Sequence, residues 1–534
     1  MQSALVFSPL ASPTYVPFGL AMLVSHVNQS LADHHLNLFD FNLSLWRQLT
    51  ENHPAGESYL NFVYNKSLQF YDPQVYDRFH PIQNQIYFQI SRLSQQARTY
   101  IEKDELDPGL QDILELQSQT LLNIDPRVIG FSVMYLDQLN FTLALAKYTR
   151  RQVLNSGVRL VLGGASMLAL DAEALLAACP YIDGIILGEG EAGLTALLSG
   201  EKNEQIPGLL ARTAMGIVRN KRNQNASDSF FLTADYSQYA LAEYFNPETV
   251  LPVVFSRDCQ WGRCRFCAHN FSFSGFRQRT VTSFVDELEQ LNHQYGVRVF
   301  YFADQYISAE NLELIAREIL SRHLRIAYHI MCRPEASYTL ERLQTIALSG
   351  CRWISWGVES GSQRLLDLIK KGTRVSDIET VLRNAAAVGI SNLAMMIFGL
   401  PTSSNIDLWQ TFALLEKTQD YLDGIKASSY VLYENTYFAK KPERFGMSVS
   451  GAQKLLKIGN TVVHSTKLNY REVSSSGSLR PPCGAIEVAE WEKRTAWMKK
   501  MDFLDKLPCQ HYLLYANHHY ETRKAPDEPF PRSA

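Results

Sequence analysis

Strand-length apolar runs alternate with helix-length amphipathic stretches along most of this chain, in two separate blocks. Few folds accommodate that pattern, because parallel strands buried on both faces can be joined only by crossovers, usually helical. In the first block the strand-like runs are Ala4 to Pro9, Leu36 to Asp40, Val128 to Ser132, Arg159 to Gly163 and Ile182 to Leu187. Helical spacing falls at Phe18 to Val27, near Leu139 to Asn155 and after Glu191. This predicts an α/β fold with a doubly wound parallel sheet, Rossmann-like or flavodoxin-like, which binds ligands beyond the carboxyl ends of its strands. The second block runs through Val253 to Phe255, Val297 to Ala303, Ile326 to Met331, Trp353 to Val358, Asn392 to Phe398 and Ile425 to Leu432. Helices near Thr282 to Tyr295 and Ala309 to Arg322 separate its early strands. Six such units suit a partial (β/α)6 barrel of the TIM type, with its chemistry at the strands' carboxyl ends.

At 534 residues the chain exceeds the size of one core, and the expected division is 1–200, a linker at 201–250, a barrel at 251–447 and a helical C-terminal domain at 448–534. Its clearest amphipathic stretch there is Val488 to Met501. Residues 43–125 interrupt the first sheet with aromatic- and Gln-rich sequence, helical over Ile82 to Lys103. They predict a helical cap over the sheet's ligand edge, either covering a cofactor or filling its place. The linker turns polar, with Asn203, Asn223 and Asn225. A net charge of −3 with no basic run argues against a nucleic-acid partner. No apolar stretch reaches membrane-spanning length and the N-terminus lacks a basic flank, so a cytoplasmic protein without a membrane partner is expected. Eight cysteines in so long a chain do not read as a disulfide framework.

Three of those cysteines, Cys259, Cys264 and Cys267, sit in one short loop after the first strand of the second block, and no fourth follows nearby. Structural zinc is normally closed by four ligands, whereas three thiolates on a [4Fe-4S] cube leave one iron open for a substrate. The later strand ends converge on the same mouth: Asp304, Arg333-Pro-Glu335, Glu359-Ser360-Gly361 and Gly399-Leu-Pro401.

The loop Cys259-Gln-Trp-Gly-Arg-Cys264-Arg-Phe-Cys267, Gly357-Val-Glu-Ser-Gly followed by its helix to Thr373, and Phe398-Gly-Leu-Pro401 together resemble radical S-adenosylmethionine enzymes. The extra residue in the first cysteine gap is similar to members with a cobalamin-binding-type N-terminal domain. The first block resembles that domain in Pro17-Phe-Gly-Leu20, Asp40-Phe-Asn42 and Gly188-Glu-Gly-Glu191. Ser132, Gly163, Gly164, Gly188 and Glu189 at its strand ends would let a large flat ligand approach, or the glycines simply serve tight turns. No Asp-x-His-x-x-Gly segment is present, which disfavours cobalt ligation by a histidine from below.

The resemblance implies that Cys259, Cys264 and Cys267 hold a [4Fe-4S] cluster and that S-adenosylmethionine fills the open iron. It implies that Glu359, with Ser360, contacts the ribose or methionine part, that Phe266 and Gly399 pass near adenine, and that Asp304 or Arg333 lines the cavity. Two departures are Ala303-Asp-Gln305, where a Gly-Gly-Glu is usual, and Thr402-Ser-Ser404 after the proline. The implied activity is reductive cleavage of S-adenosylmethionine to a 5′-deoxyadenosyl radical, with a flavodoxin or ferredoxin as reductant. With cobalamin this gives methyl transfer to an unactivated carbon of a small molecule or peptide; the alternatives are radical rearrangement or cyclisation, or a non-catalytic iron-sulfur subunit. Transfer-RNA thiomethylation is disfavoured by the absence of a second cysteine triad and of a basic module. Cys332 and Cys351 read as buried thiols, and Cys483, Cys509, His511, His518 and His519 as packing or surface residues rather than a second metal site. Tyr430, Tyr433 and Tyr437 stand near the last strand, where core packing is expected for at least two of them.

Overall fold

The computed structural model describes residues 2–523 apart from 155, 214–215, 223–230, 270–274, 474–477, 495–502 and 504–505. Its first sheet holds Gln2–Phe7, His35–Asp40, Val128–Ser132, Arg159–Gly163 and Gly184–Ile186 as parallel strands in the order 2-1-3-4-5, the flavodoxin-like order. Two further strands, Leu209–Thr213 and Gly216–Arg219, add to its edge antiparallel. The expected linker at 201–250 therefore begins inside the sheet. The outer strand, Gly216–Arg219, is short and polar enough to read as loop, since an edge strand needs no buried face.

The insertion folds into helices Phe41–Glu51, Gly56–Tyr64, Pro73–Lys103 and Pro108–Leu122. Asp72 and Asp107 cap the two longest starts through side-chain bonds to backbone N–H groups, and each is followed by a proline at the first helical position, where its missing N–H costs nothing. Pro73–Lys103 and Pro108–Leu122 both pack on helix Leu139–Gln152. Tyr76 and Phe70 of the insertion pack on His511 of helix Cys509–Arg523.

The second sheet has six parallel strands ordered Gly424–Ser429, Ser391–Phe398, Cys351–Glu359, Ala327–Cys332, Val299–Phe302 and Val250–Val253. Its first strand lies earlier than the expected Val253 to Phe255 and includes Pro252. A proline is tolerated there because this strand is at the sheet's edge and pairs only with Val299–Phe302. Helix Cys509–Arg523 packs on Ala327–Cys332 and Cys351–Glu359, where Tyr512 meets Trp353 with ring centroids 4.3 Å apart.

The region expected to be helical from 448 begins instead as a long antiparallel hairpin, Met447–Ile458 with Thr461–Val473, joined by Leu479–Arg480. Most residues of the first hairpin strand are exposed and only Met447 and Leu456 are buried, so no alternating apolar signal marks it. The hairpin bridges the two sheets: Asp171 N–H donates to His464 O at 2.8 Å, Thr466 N–H to Ala169 O at 2.9 Å, and Leu468 N–H to Leu432 O at 2.8 Å. Helix Gly484–Arg494 follows, covering part of the stretch expected from Val488 to Met501; residues 495–501 lie outside those described, as do Asn223 and Asn225 of the linker.

Candidate active site

Where the first strand of the second sheet ends, Ser256–Arg257 pairs antiparallel with Arg277–Gln278, and the two form a stem from which the cysteine loop springs. Asp304 fastens this stem from the next strand. Its carboxylate accepts from Phe255 N–H at 2.9 Å, Ser256 N–H at 2.6 Å and the Ser256 hydroxyl at 2.6 Å. Burial lifts the Asp304 carboxyl to about 6, and the Ser256 and Phe255 donors oppose that rise. Asp304, expected to line the ligand cavity, is thus turned back onto the chain and positions the cysteine loop.

The loop is anchored again on the far side, at the end of helix Gln363–Leu368, which follows the fourth strand. Trp261 Nε1 donates to Lys370 O at 3.0 Å, Arg265 N–H to Ile369 O at 2.9 Å and Arg265 Nη1 to Leu368 O at 2.7 Å. Arg333 ties the third strand into the same corner, stacking over Trp261 at 3.9 Å and donating to Lys371 O at 2.7 Å. Phe266 packs half-buried on the main core. Gly372, at φ +74, is required here, because a Cβ would sit 2.3 Å from the Trp261 ring.

Glu359 closes the fourth strand with φ 63, a left-handed conformation that costs a non-glycine residue about 1–3 kcal/mol. Its Oε1 is 2.6 Å from Lys371 Nζ, and both side chains are buried. Burial works against the Lys371 charge, yet Glu359 outweighs it and the ammonium is held above its usual range. Cys264 faces this pair. Burial pushes its thiol up to about 11, with Lys371 pulling the other way. Ser360 lies beneath, sharing a 3.2 Å contact with the Thr411 hydroxyl and accepting from Ser362 N–H, so it supports the turn.

Gly399, expected to pass near adenine, meets the chain's own C-terminal segment. Its N–H donates to Glu487 Oε2 at 2.7 Å, and a Cβ at its φ of +72 would stand 2.2 Å from Gly484 Cα. Cys483 beside it donates to Glu487 at 3.2 Å and Glu472 at 3.4 Å. At the last strand, the Tyr430 hydroxyl is buried without a hydrogen-bond partner among the described residues, as is that of its neighbour Tyr470. His511, considered with the other C-terminal histidines, is a core residue: Nε2 donates to Phe245 O at 2.6 Å and Nδ1 accepts from the Tyr76 hydroxyl at 2.8 Å.

None of the three loop cysteines is in a disulfide, and all three are partly buried. Among the described residues no three His, Cys, Asp or Glu side chains stand close enough to share one metal ion. A cluster makes a looser demand, because each thiolate takes a different iron. The donor set fits it: soft ligands on one loop, facing Lys371 and Arg333, whose charges offset those of thiolates and sulfides.

At the first sheet, Ser132, Gly163, Gly164, Gly188 and Glu189 fall together at the carboxyl ends of neighbouring strands, partly exposed. Gly164 also serves its turn, since at φ +97 a Cβ would lie 2.5 Å from Val133 O. Arg222 lies over Gly188, within 2.9 Å of where a Cβ would be. Asp40 is structural: it caps helix Phe41–Glu51 and accepts the Tyr244 hydroxyl at 2.6 Å, burial lifting its carboxyl to about 6. The small, polar edge suits a large ligand that presses on backbone.

Charged residues that sequence reasoning passed over join the two regions. Arg257 pairs with Glu189 at 3.2 Å and Glu191 at 2.6 Å, and Arg277 with Glu189 at 2.6 Å. These partners lie 66 or more positions apart, so no local pattern could reveal them. Lys371 carried a weak signal as the second of two lysines before Gly372 in the Glu359 segment.

Residues 253–415 match the radical SAM superfamily and residues 112–198 the B12 binding domain. A Pyrococcus horikoshii protein described as an uncharacterized methyltransferase is 24% identical over 329 residues, 59% of this chain and 69% of that protein. An anaerobic magnesium-protoporphyrin IX monomethyl ester cyclase of Cereibacter sphaeroides is 26% identical over 269 residues, and the match spans 44% of its length. Among solved structures, the radical S-adenosylmethionine methyltransferase TsrM of Kitasatospora setae, with cobalamin and a [4Fe-4S] cluster bound, superposes with TM-score 0.58 at 18% identity, covering 85% of this chain and 82% of that one. The cobalamin-dependent S-adenosylmethionine radical enzyme OxsB superposes with TM-score 0.62 at 17% identity, covering 92% and 67%. At these identities the structural likeness is one of fold. The family domains carry the cofactors: a [4Fe-4S] cluster and S-adenosylmethionine for the one, cobalamin for the other. The chain thus joins a region that matches the radical SAM superfamily to one that matches the B12 binding domain, in the fold that it shares with TsrM and OxsB.

Proposed function

We propose that this enzyme transfers a methyl group, with cobalamin, to an unactivated carbon of a small molecule or peptide. The carrying observation is that the ligand edge of the first sheet is pinned to the mouth of the second, by buried Arg257–Glu189 and Arg257–Glu191 pairs and by the hairpin that runs from Leu432 to Ala169. When bound, the cluster with S-adenosylmethionine supplies a carbon radical and cobalamin a transferable methyl group.

The chain's own residues would do the rest. Cys259, Cys264 and Cys267 would hold the cluster, with Asp304 and the Trp261–Arg333 stack fixing their loop. Arg333, Lys371 and Glu359 would receive the charged and hydroxylated parts of S-adenosylmethionine, and Ser132, Gly163, Gly164 and Gly188 the corrin face. Helix Gly484–Arg494 and the hairpin would keep water from the mouth, because a reactive radical must be shielded. The buried Tyr430 and Tyr470 hydroxyls offer donors to a polar substrate. A soluble reductant such as a flavodoxin or ferredoxin would supply electrons in the cytoplasm; among the described residues no helix is long and apolar enough to cross a membrane.

Radical cyclisation without methylation is the second reading, and it is favoured by the match to the Cereibacter sphaeroides cyclase. Anaerobic turnover with methyl-deuterated S-adenosylmethionine separates them. Deuterium in the product, alongside 5′-deoxyadenosine, supports methyl transfer; a product free of deuterium selects cyclisation, and no deoxyadenosine from a fully loaded enzyme overturns both.

A further inference from the structure

Arg257 and Arg277 are directly opposite one another across the two-strand stem that carries the cysteine loop. Two guanidinium groups so placed repel, and carboxylates from the first domain offset that repulsion. Glu189 Oε1 takes both, Arg257 at 3.2 Å and Arg277 at 2.6 Å, while Glu191 takes the other nitrogen of Arg257 at 2.6 Å. Glu189 and Glu191 belong to the strand-to-helix turn at the ligand edge of the first sheet: Glu189 is the N-cap of helix Gly190–Leu198 and follows strand Gly184–Ile186.

The second oxygen of Glu189 has no such use. The side chain is only 9% exposed, and Oε2 is buried without a hydrogen-bond partner among the described residues. Leaving a buried carboxylate oxygen unsatisfied is costly, and native structures rarely do so without a reason. An ionised carboxylate only accepts, so whatever completes it must donate an N–H or O–H. The neighbouring Gly163, Gly164 and Gly188 form an edge suited to a large ligand, and a corrin carries primary amides around its rim.

We propose that Glu189 is a two-sided bridge, one oxygen gripping the base of the cysteine loop and the other accepting an amide N–H from the rim of the bound corrin. This rests on the reading that cobalamin occupies the first sheet's edge. The bridge makes the seating of the corrin and the placement of the cluster loop interdependent, in both directions. Glu191 holds only the loop side.

The test is hydroxocobalamin binding to the cluster-loaded protein, together with the EPR spectrum of the reduced cluster with and without hydroxocobalamin, both in excess dithionite, which keeps the cluster reduced and takes the added cobalt to cobalt(II). Glu189→Ala should weaken hydroxocobalamin binding roughly tenfold or more, the scale of a lost charge-assisted hydrogen bond. Glu191→Gln should leave binding within about twofold. The cluster spectrum of the wild type should shift on adding hydroxocobalamin, and that shift should vanish in Glu189→Ala. If that variant fails to take up iron, Glu189→Gln decides, and weaker hydroxocobalamin binding is again the expected result. Wild-type affinity in Glu189 variants with an intact cluster overturns the bridge. A wild type that takes up no hydroxocobalamin refutes the cobalamin reading itself, and the bridge with it.

Discussion

The mouth of the six-stranded sheet and the ligand edge of the first sheet occupy equivalent places in two parallel sheets, yet they are built from opposite materials. The mouth is lined by charge held in check by charge: Glu359 with Lys371, Arg333 with Glu335, Asp304 on backbone donors. The edge is glycine, serine and backbone, with its carboxylates turned toward the other domain. A mouth of paired ions is prepared for a ligand that brings its own charges, because the pairs can be exchanged without leaving a bare ion in low dielectric. An edge of small residues is prepared for a broad ligand recognised by shape and hydrogen bonds. The difference supports the proposed placement of S-adenosylmethionine and the cluster at the mouth and of a corrin at the edge.

The sharpest way to break the comparison is at the charged mouth. Cys264→Ala should abolish the cluster, read as loss of iron and of the brown absorbance after anaerobic reconstitution; an intact cluster would remove Cys264 from the ligand set. Next in size, Lys371→Met leaves the Glu359 carboxylate buried without its partner, which should cost about 3–5 kcal/mol in a denaturant titration. A loss below about 1 kcal/mol would show that the pair is more hydrated than its burial implies. On the quiet side, Gly164→Ala forces a Cβ against Val133 in a left-handed conformation and should cost about 2 kcal/mol while leaving iron content unchanged. Unaltered thermal stability would contradict the tight crossing drawn there.

The smallest effect concerns the core between the regions. Burial lowers His511 from 6.5 to about 4. Between those values the unfolded chain binds a proton that the folded chain refuses, so stability is lost as pH falls through that window. Going from pH 7 to pH 5, this group should cost the wild type about 2 kcal/mol. His511→Gln should lack that increment, so the stability gap between the two proteins should narrow by about that amount at the lower pH. A gap independent of pH would mean that His511 is protonated in the folded chain.

How much of this could be read from the chain itself follows the same division. The strands of both sheets were legible because buried parallel strands are continuous apolar runs, and Val128–Ser132 and Arg159–Gly163 coincide with the runs read from sequence. The cysteine loop and the Glu359 turn were legible because their residues are neighbours in sequence. The hairpin Met447–Val473 was not, since its first strand is mostly exposed and carries no alternating apolar signal. Nor were Lys371, Arg257 and Glu487, whose roles rest on partners that only folding brings near: a strand end, a turn of the other domain and the Gly399 amide. Asp304 and Gly399 were found as residues but not as neighbours. One turns back on the stem and the other is covered by the C-terminal segment, which residue type alone does not tell.

The central claim is that the ligand edge of the first sheet is pinned beside the mouth of the second, so that the two cofactors would share one space. It is tested most directly by EPR of the protein loaded with both cobalamin, reduced to the cobalt(II) state, and a reduced cluster. Two paramagnets in one chamber must relax each other, so the account predicts a faster-relaxing cobalt(II) signal when the cluster is reduced than when it is oxidised and diamagnetic. A cobalt(II) signal whose relaxation is the same in both states would place the cofactors in separate sites and contradict the account.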